Sequence, residues 1–336
     1  CLHGAEVRAR APGGRRCACA GRLTGSVQAE GRAASLSGMS DLFGDELARW
    51  VFQRAATLAR AAAEPVGPFV LPNGRFFPDR FDGTPEAVGR LFDRMRHHVG
   101  LDSLEVELVL VDADTKNVTS ACSSGGCSTS AKLAVLSGDR VVSTAEGGYV
   151  AKLATSEASH PNVLTAALSR ALGDVFLLEA DVARRLAPIE RAKVADLAAT
   201  MLGLGVLVAN GAGVETKGCG GVKVHQTTAL SLHEAVLGLA IAATRHPERA
   251  RERELAASLD PPARAIFDAA MAYAAANADV VRRVGDAPDA IERGDFVLRS
   301  GQSWIGASIL GRLFGRPKAN DPVAELEREL SRIARS

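Results

Sequence analysis

The 336-residue chain has few aromatic residues, no excess of charge of either sign and no long apolar run. Aromatic residues make up 4% of the chain, and 40 Lys and Arg residues balance 39 Asp and Glu residues. Proteins that bind nucleic acid or anionic membranes through their charge carry a basic excess, so we expect neither kind of partner. No uninterrupted apolar stretch approaches the ~18 residues of a membrane span. The composition, 47% hydrophobic and 24% charged, is typical of a soluble globular protein, which we predict to be cytoplasmic.

Several motifs that would indicate an activity are also missing. The sequence has no GxGxxG after a predicted strand, no Walker loop, no GxSxG elbow and no EF-hand loop. His233-Glu234 begins like the metallopeptidase motif HExxH, but residue 237 is Leu, so the second zinc ligand is missing. The motif search therefore assigns no catalytic residue.

The first 38 residues differ in composition from the rest of the chain. They contain six Arg, two Glu and no Lys, without the apolar periodicity of a helix or strand. Such a segment cannot bury enough apolar surface to offset its conformational entropy. We predict that 1–38 is a disordered extension that is not native, with a natural start at Met39, and that 39–336 forms one body. A transit peptide is the alternative interpretation, although Glu6 and Glu30 interrupt its positive charge.

Periodicity within 39–336 predicts an α+β fold. Apolar residues have helical spacing over 41–63, and Thr84-Pro85-Glu86 is typical of a helix start. Alternation over 104–110 predicts a strand, and three short apolar runs follow. We predict a small antiparallel sheet within 39–155 and a helical bundle within 156–336, in which the apolar segment 188–210 is the central helix. The other predicted strands are 132–136, 141–145 and 149–153, and the other predicted helices are 162–179, 229–245, 262–284 and 322–333.

Three cysteines follow residue 38, and all of them lie in glycine-rich stretches. Cys122 and Cys127 form a Cys-x4-Cys pair, and Cys219 lies six residues before His225. Three thiolates and one imidazole could hold a structural zinc ion in tetrahedral coordination. A redox-active disulfide between Cys122 and Cys127 is a second interpretation, and unlinked thiols are the third.

Residues 160–178, HPNVLTAALSRALGDVFLL, resemble the active-site helix of zincin-like bacterial proteins, in which HELGH is followed by apolar residues. The stretch from Lys193 through Val206 resembles the downstream helix of those proteins, which carries an acidic third zinc ligand. The resemblance covers roughly 85–245 and implies a zincin-like scaffold with a sheet before the motif helix.

The resemblance also implies that the metal site has degenerated. Arg170 stands at the position of the first zinc histidine, Ala171 at that of the catalytic glutamate, and Asp174 at that of the second histidine. Asp196 alone keeps a side chain of the expected kind, as the third ligand. Two carboxylates without a general base cannot perform zinc-dependent hydrolysis by that mechanism.

These observations favour a protein without enzymatic activity. We expect an inactive zincin-like scaffold that acts by binding, with an unidentified protein partner, or as a structural component. The alternative is a thiol-based redox protein or a structural-zinc protein that uses Cys122, Cys127 and Cys219.

Overall fold

In this computed structural model, the described part of the chain comprises residues 42–112, 115–117, 134–136, 138–218 and 221–299. It contains ten α-helices and seven strands, with two helices before five strands, then three helices, a hairpin and five helices. The α+β class is confirmed, and most of the structure is helical. The helices are α1 (Asp45–Arg60), α2 (Pro85–His98), α3 (Pro161–Glu179), α4 (Pro188–Ala199), α5 (Gly205–Ala212), α6 (Leu232–Arg245), α7 (Glu252–Ser258), α8 (Pro261–Ala276), α9 (Ala278–Asp286) and α10 (Pro288–Glu292). The strands are β1 (Val106–Val111), β2 (Thr115–Asn117), β3 (Ala134–Leu136), β4 (Val141–Ser143), β5 (Tyr149–Ala154), β6 (Val214–Gly218) and β7 (Gly221–His225).

The main sheet is mixed, which corrects the prediction of an antiparallel one. Its strand order is β1-β5-β4, with β1 parallel to β5 and β4 antiparallel to it. Alternation along a strand predicts which face is buried, but it does not identify the neighbouring strand or its direction. β2 and β3 form a separate antiparallel pair.

The helical half also contains a β-hairpin that the sequence analysis did not predict. β6 and β7 pair antiparallel over their full lengths, and Val214 lies opposite His225. Both strands belong to a stretch that the sequence analysis interpreted as a glycine-rich loop. Gly213, Gly218, Gly220 and Gly221 flank and interrupt the two strands, and glycine is depleted in strands, so the sequence pattern favoured a loop.

The segment predicted as the central helix is confirmed in the core, with an interruption. α4 continues into α5 through a π-helical turn, Thr200–Leu204, in which Gly203 has a φ of +103°. The Gly203 carbonyl accepts a hydrogen bond from the Val70 amide, so the chain before α2 packs against this turn. Helix Pro188–Ala212 has the length and composition of a membrane span, but 89% of its most apolar window is buried inside the protein.

Glycines allow α3 to approach α4 and α5 closely. A Cβ on Gly173 would overlap the carbonyl oxygen of Ala195 in α4, and a Cβ on Gly211 would overlap the side chain of Ala166. The first contact brings the backbones of α3 and α4 together, and the second packs α5 against α3. Side chains on neighbouring turns of α3 and α4 therefore meet directly.

The remaining helix predictions have different outcomes. Thr84 caps α2, since its hydroxyl accepts a hydrogen bond from the Ala87 amide, as predicted. The predicted helix 262–284 is divided at Asn277, a fully buried residue whose side chain bonds the Tyr273 carbonyl and the Arg299 amide. Segments 1–38 and 322–333 lie outside the described residues.

Candidate functional site

A polar cleft lies beside α3 and contains two of the residues that the zincin resemblance singled out. Arg170 and Asp174, one helical turn apart on α3, line one wall. The start of α4, with Arg191, and the segment 226–229 contribute further walls, and the chain from β3 to β4, with Arg140, completes the cleft. We call this space, of about 430 Å³, the polar cleft. Its size is within the range of ~300–1,000 Å³ that is usual for ligand sites.

Arg170 forms a bidentate ion pair with Asp196 of α4. Its Nε lies 2.7 Å from Oδ1 and its Nη2 lies 2.9 Å from Oδ2 of Asp196. The Asp196 side chain is completely buried, and Arg170 is 12% exposed. Burial opposes the charge on Arg170, but the adjacent Asp196 outweighs this and raises the pKa of Arg170. The guanidinium is therefore a permanent cation.

Two backbone amides hold Asp196 in place as well. The Ala229 and Leu230 amides donate to Oδ2, at 2.6 and 3.1 Å. Both carboxylate oxygens therefore already accept hydrogen bonds. The resemblance implies zinc ligands at positions 170 and 196. The structure has the Arg170 cation at the first position and, at the second, the Asp196 carboxylate, whose two oxygens already accept hydrogen bonds. These residues therefore do not fit a metal ion.

Asp174 is a carboxylate in the wall of the cleft whose environment shifts its pKa. Arg191 donates from Nε to its Oδ1 at 2.8 Å, and the Asp174 side chain is 7% exposed. Burial raises the pKa of Asp174, and the negative charge of Asp139 adds to this, against the opposing effect of Arg191. Perturbed carboxyl groups in clefts are frequent at functional sites.

Arg140 makes a third arginine–carboxylate pair beside the cleft. Its Nη2 donates to Glu157 Oε1 at 2.7 Å, and both side chains are almost completely buried. Burial alone would raise the pKa of Glu157, but Arg140 and the amides of Leu136 and Ala154 outweigh burial and lower it. This pair connects β3, β4 and the chain after β5 into one rigid wall.

The fourth position of the resemblance, Ala171, is buried in the hydrophobic core. The hydroxyls of Thr227 and Thr228, which also line the cleft, donate to the carbonyls of Gly211 and Leu230. Among the residues that the structure describes, no histidine or cysteine lines the cleft. The described wall therefore offers guanidinium donors and carboxylate acceptors, which can bind a polar ligand, but no activated nucleophile.

The predicted cysteine site stays a prediction. Cys122, Cys127 and Cys219 lie outside the described residues. His225, the fourth predicted ligand, is buried at the end of β7. Among the residues that the structure describes, no group of three or more His, Cys, Asp or Glu side chains is placed to hold a metal ion.

Sequence reasoning missed Arg140 and Arg191. Both lie in ordinary polar stretches, and their partners Glu157 and Asp174 are 17 residues away in the chain. Only the spacing Arg170–Asp174, one turn on a helix, was visible in the sequence.

Comparison with protein-family models, with curated proteins and with solved structures finds no match for this chain.

Proposed function

We propose that this protein acts by binding in the polar cleft and not by hydrolysis, on a zincin-like scaffold whose metal site has been replaced by an ion pair. The observation that carries this proposal is the bidentate Arg170–Asp196 pair. A guanidinium supplies positive charge beside the acidic residue, but it has no open coordination position and activates no water. Charge is thus balanced at this position without metal chemistry.

The ligand that we propose is an extended polypeptide segment of a partner protein. β4 is an edge strand of the main sheet, and it borders the cleft through Arg191, whose Nη2 donates to the Val141 carbonyl at 3.3 Å. The backbone amide of Lys152 donates to the Arg140 carbonyl, and the backbone amide of Thr144 donates to the Gly148 carbonyl. In an antiparallel pair this pattern alternates, so the backbone groups of Val141 and Ser143 point away from β5.

The Ser143 end of this edge, beyond the Val141 carbonyl that Arg191 occupies, can pair with an extended peptide. The peptide would use backbone hydrogen bonds for affinity and the arginines of the polar cleft for selectivity. Peptides enriched from a random displayed library should bind the wild-type protein and the Ser143→Ala variant equally. The Ser143→Pro variant, which lacks the outward amide, should bind at least tenfold more weakly by fluorescence polarisation. Equal binding to the Ser143→Pro variant would contradict the proposed mode.

The scaffold is tested by rebuilding the motif. We expect the triple variant Arg170→His, Ala171→Glu, Asp174→His to bind one zinc ion per chain, with Asp196 Oδ1 as third ligand and the Ala229 and Leu230 amides still holding Oδ2. Adding Asp196→Ala should weaken zinc binding at least tenfold in calorimetry. A folded triple variant, checked by circular dichroism, that binds no zinc would refute the zincin-like scaffold.

The absence of hydrolysis is tested on the wild-type protein. We expect no turnover of casein or of a peptide library with added zinc. Metal-dependent turnover that Asp174→Ala abolishes would show that the protein is a peptidase after all.

A further inference from the structure

A second cleft, separate from the polar cleft, lies between the irregular segment 72–81, α2 and the first turns of α3. Its volume is about 420 Å³. Its walls are mainly apolar, and we call it the apolar cleft. Its apolar lining includes Pro72, Phe77, Phe81, Leu91, Pro161 and Leu164.

Arginines surround this apolar surface. Arg80, Arg90 and Arg94 all line the cleft, against a single acidic side chain, Asp79. Arg94 is neutralised, since its Nη2 lies 2.7 Å from Asp79 Oδ2. Arg80 and Arg90 form no ion pair with any residue that the structure describes, and both are exposed.

Asp82, which directly follows Phe81 in the chain, is a further carboxylate near this positive charge. Hydrogen bonds from Thr84 lower the pKa of Asp82, and the charge of Arg90 makes a smaller contribution in the same direction. The hydroxyl and the amide of Thr84 both donate to Asp82 Oδ1, at 2.8 and 3.1 Å. Asp82 forms no ion pair with Arg80 or Arg90 among the described residues, so the guanidinium groups of both arginines are available to a ligand.

An exposed aromatic ring in the wall also indicates a ligand. Phe81 lines the cleft with 44% of its surface exposed, in a chain with only 11 Phe residues. Apolar surface in a concave site is costly to hydrate, and a ligand with an apolar body would remove it from water.

We propose that the apolar cleft binds a small organic acid with an apolar body. Its carboxylate pairs with Arg80 and Arg90, and its body packs against Phe77, Leu91 and Leu164. Guanidinium groups bind carboxylates through charge-assisted hydrogen bonds, which sets the sign of the ligand's charge. Since a dry cavity of about 150 Å³ holds benzene, this cleft can hold a chain of about ten carbons.

The test is calorimetry of the full chain with sodium decanoate below its micelle-forming concentration. We expect one decanoate per chain. Decyltrimethylammonium, which has the same tail and the opposite charge, and butyrate, which lacks the tail, should each bind at least tenfold more weakly.

Paired variants locate the site. The double variant Arg80→Gln, Arg90→Gln should weaken decanoate binding at least tenfold. Arg75→Gln is its control, because Arg75 stacks over Phe76 outside this cleft. Phe81→Ser should also weaken binding, whereas Val66→Ser, at an exposed apolar residue elsewhere, should not.

Three results would overturn the proposal. They are failure of decanoate to bind, equal binding of decyltrimethylammonium, and unchanged decanoate affinity in the double arginine variant. Cosedimentation with phosphatidylglycerol vesicles, without binding of monomeric decanoate, would instead assign the arginines to a lipid surface. None of these results bears on the polar cleft, so this proposal and the proposed function can fail independently.

Discussion

At the scale of single residues, the Arg170–Asp196 pair dominates the polar cleft. Removing one member of a buried ion pair leaves the other charge without compensation, which costs about 3–5 kcal/mol. Arg170→Met should therefore lower the free energy of unfolding by about that amount in urea denaturation. Asp196→Leu should cost more, because the Ala229 and Leu230 amides lose their acceptor as well, at about 1–3 kcal/mol for each orphaned group.

The matched control is an exposed pair. Arg184 lies 3.2 Å from Asp181, and the two side chains are 86% and 56% exposed. Arg184→Met should change stability by no more than about 0.5 kcal/mol. If Arg170→Met lowered the free energy of unfolding by as little as Arg184→Met does, the buried ion pair would not hold α3 to α4.

At the scale of elements, the contact between α3 and α4 depends on Gly173. A methyl group there would overlap the backbone carbonyl of Ala195, so the helices must move apart. Gly173→Ala should destabilise the protein by about 1–3 kcal/mol or more, as overpacking in a core does. The measurement is the free energy of unfolding in urea.

The same substitution in α2 should have the opposite sign. A Cβ on Gly89 meets no atom within 4 Å, and alanine in a helix interior is favoured over glycine by about 0.5–1 kcal/mol. Gly89→Ala should therefore stabilise the protein. A stabilising Gly173→Ala would show that the two helices do not approach as closely as the backbone indicates.

At the scale of the whole molecule, two histidines should make stability depend on pH. Burial lowers the pKa of His160, against the charge of Asp260, and burial together with Arg245 lowers the pKa of His246. His160 Nδ1 and His246 Nε2 are buried without a hydrogen-bond partner among the described residues. A lowered pKa in the folded state means that the unfolded chain binds protons more readily. Stability from these groups is then complete above their ordinary pKa of 6.5 and is lost as the pH falls through the folded values.

We expect the wild-type protein to lose unfolding free energy between pH 7.5 and pH 5.5. The double variant His160→Gln, His246→Gln should lose less over the same interval. His97→Gln is the control, because His97 is 72% exposed. Parallel pH profiles for wild type and double variant would assign the pH dependence to other groups.

The sequence by itself determined the local features of this protein. Helical spacing predicted α1, α3 and α6 to within a few residues, and the cap at Thr84 was visible because a cap depends on a few adjacent residues. The apolar run from Val194 to Ala209 predicted a buried helix, since a segment that is apolar on all sides must be covered. The resemblance singled out Arg170, Asp174 and Asp196 but did not imply that Arg170 and Asp196 are partners.

Only the tertiary structure decided which distant residues meet. The parallel pairing of β1 with β5 and the division of 262–284 at Asn277 depend on contacts between segments that are far apart in the chain. The same holds for the polar cleft, where Arg140, Arg170 and Arg191 find carboxylates 17 to 26 residues away. A side chain's own neighbours in sequence set its helical or strand face. Its ion-pair partner depends on how the helix and strand faces pack against each other. No local pattern in the sequence shows that packing.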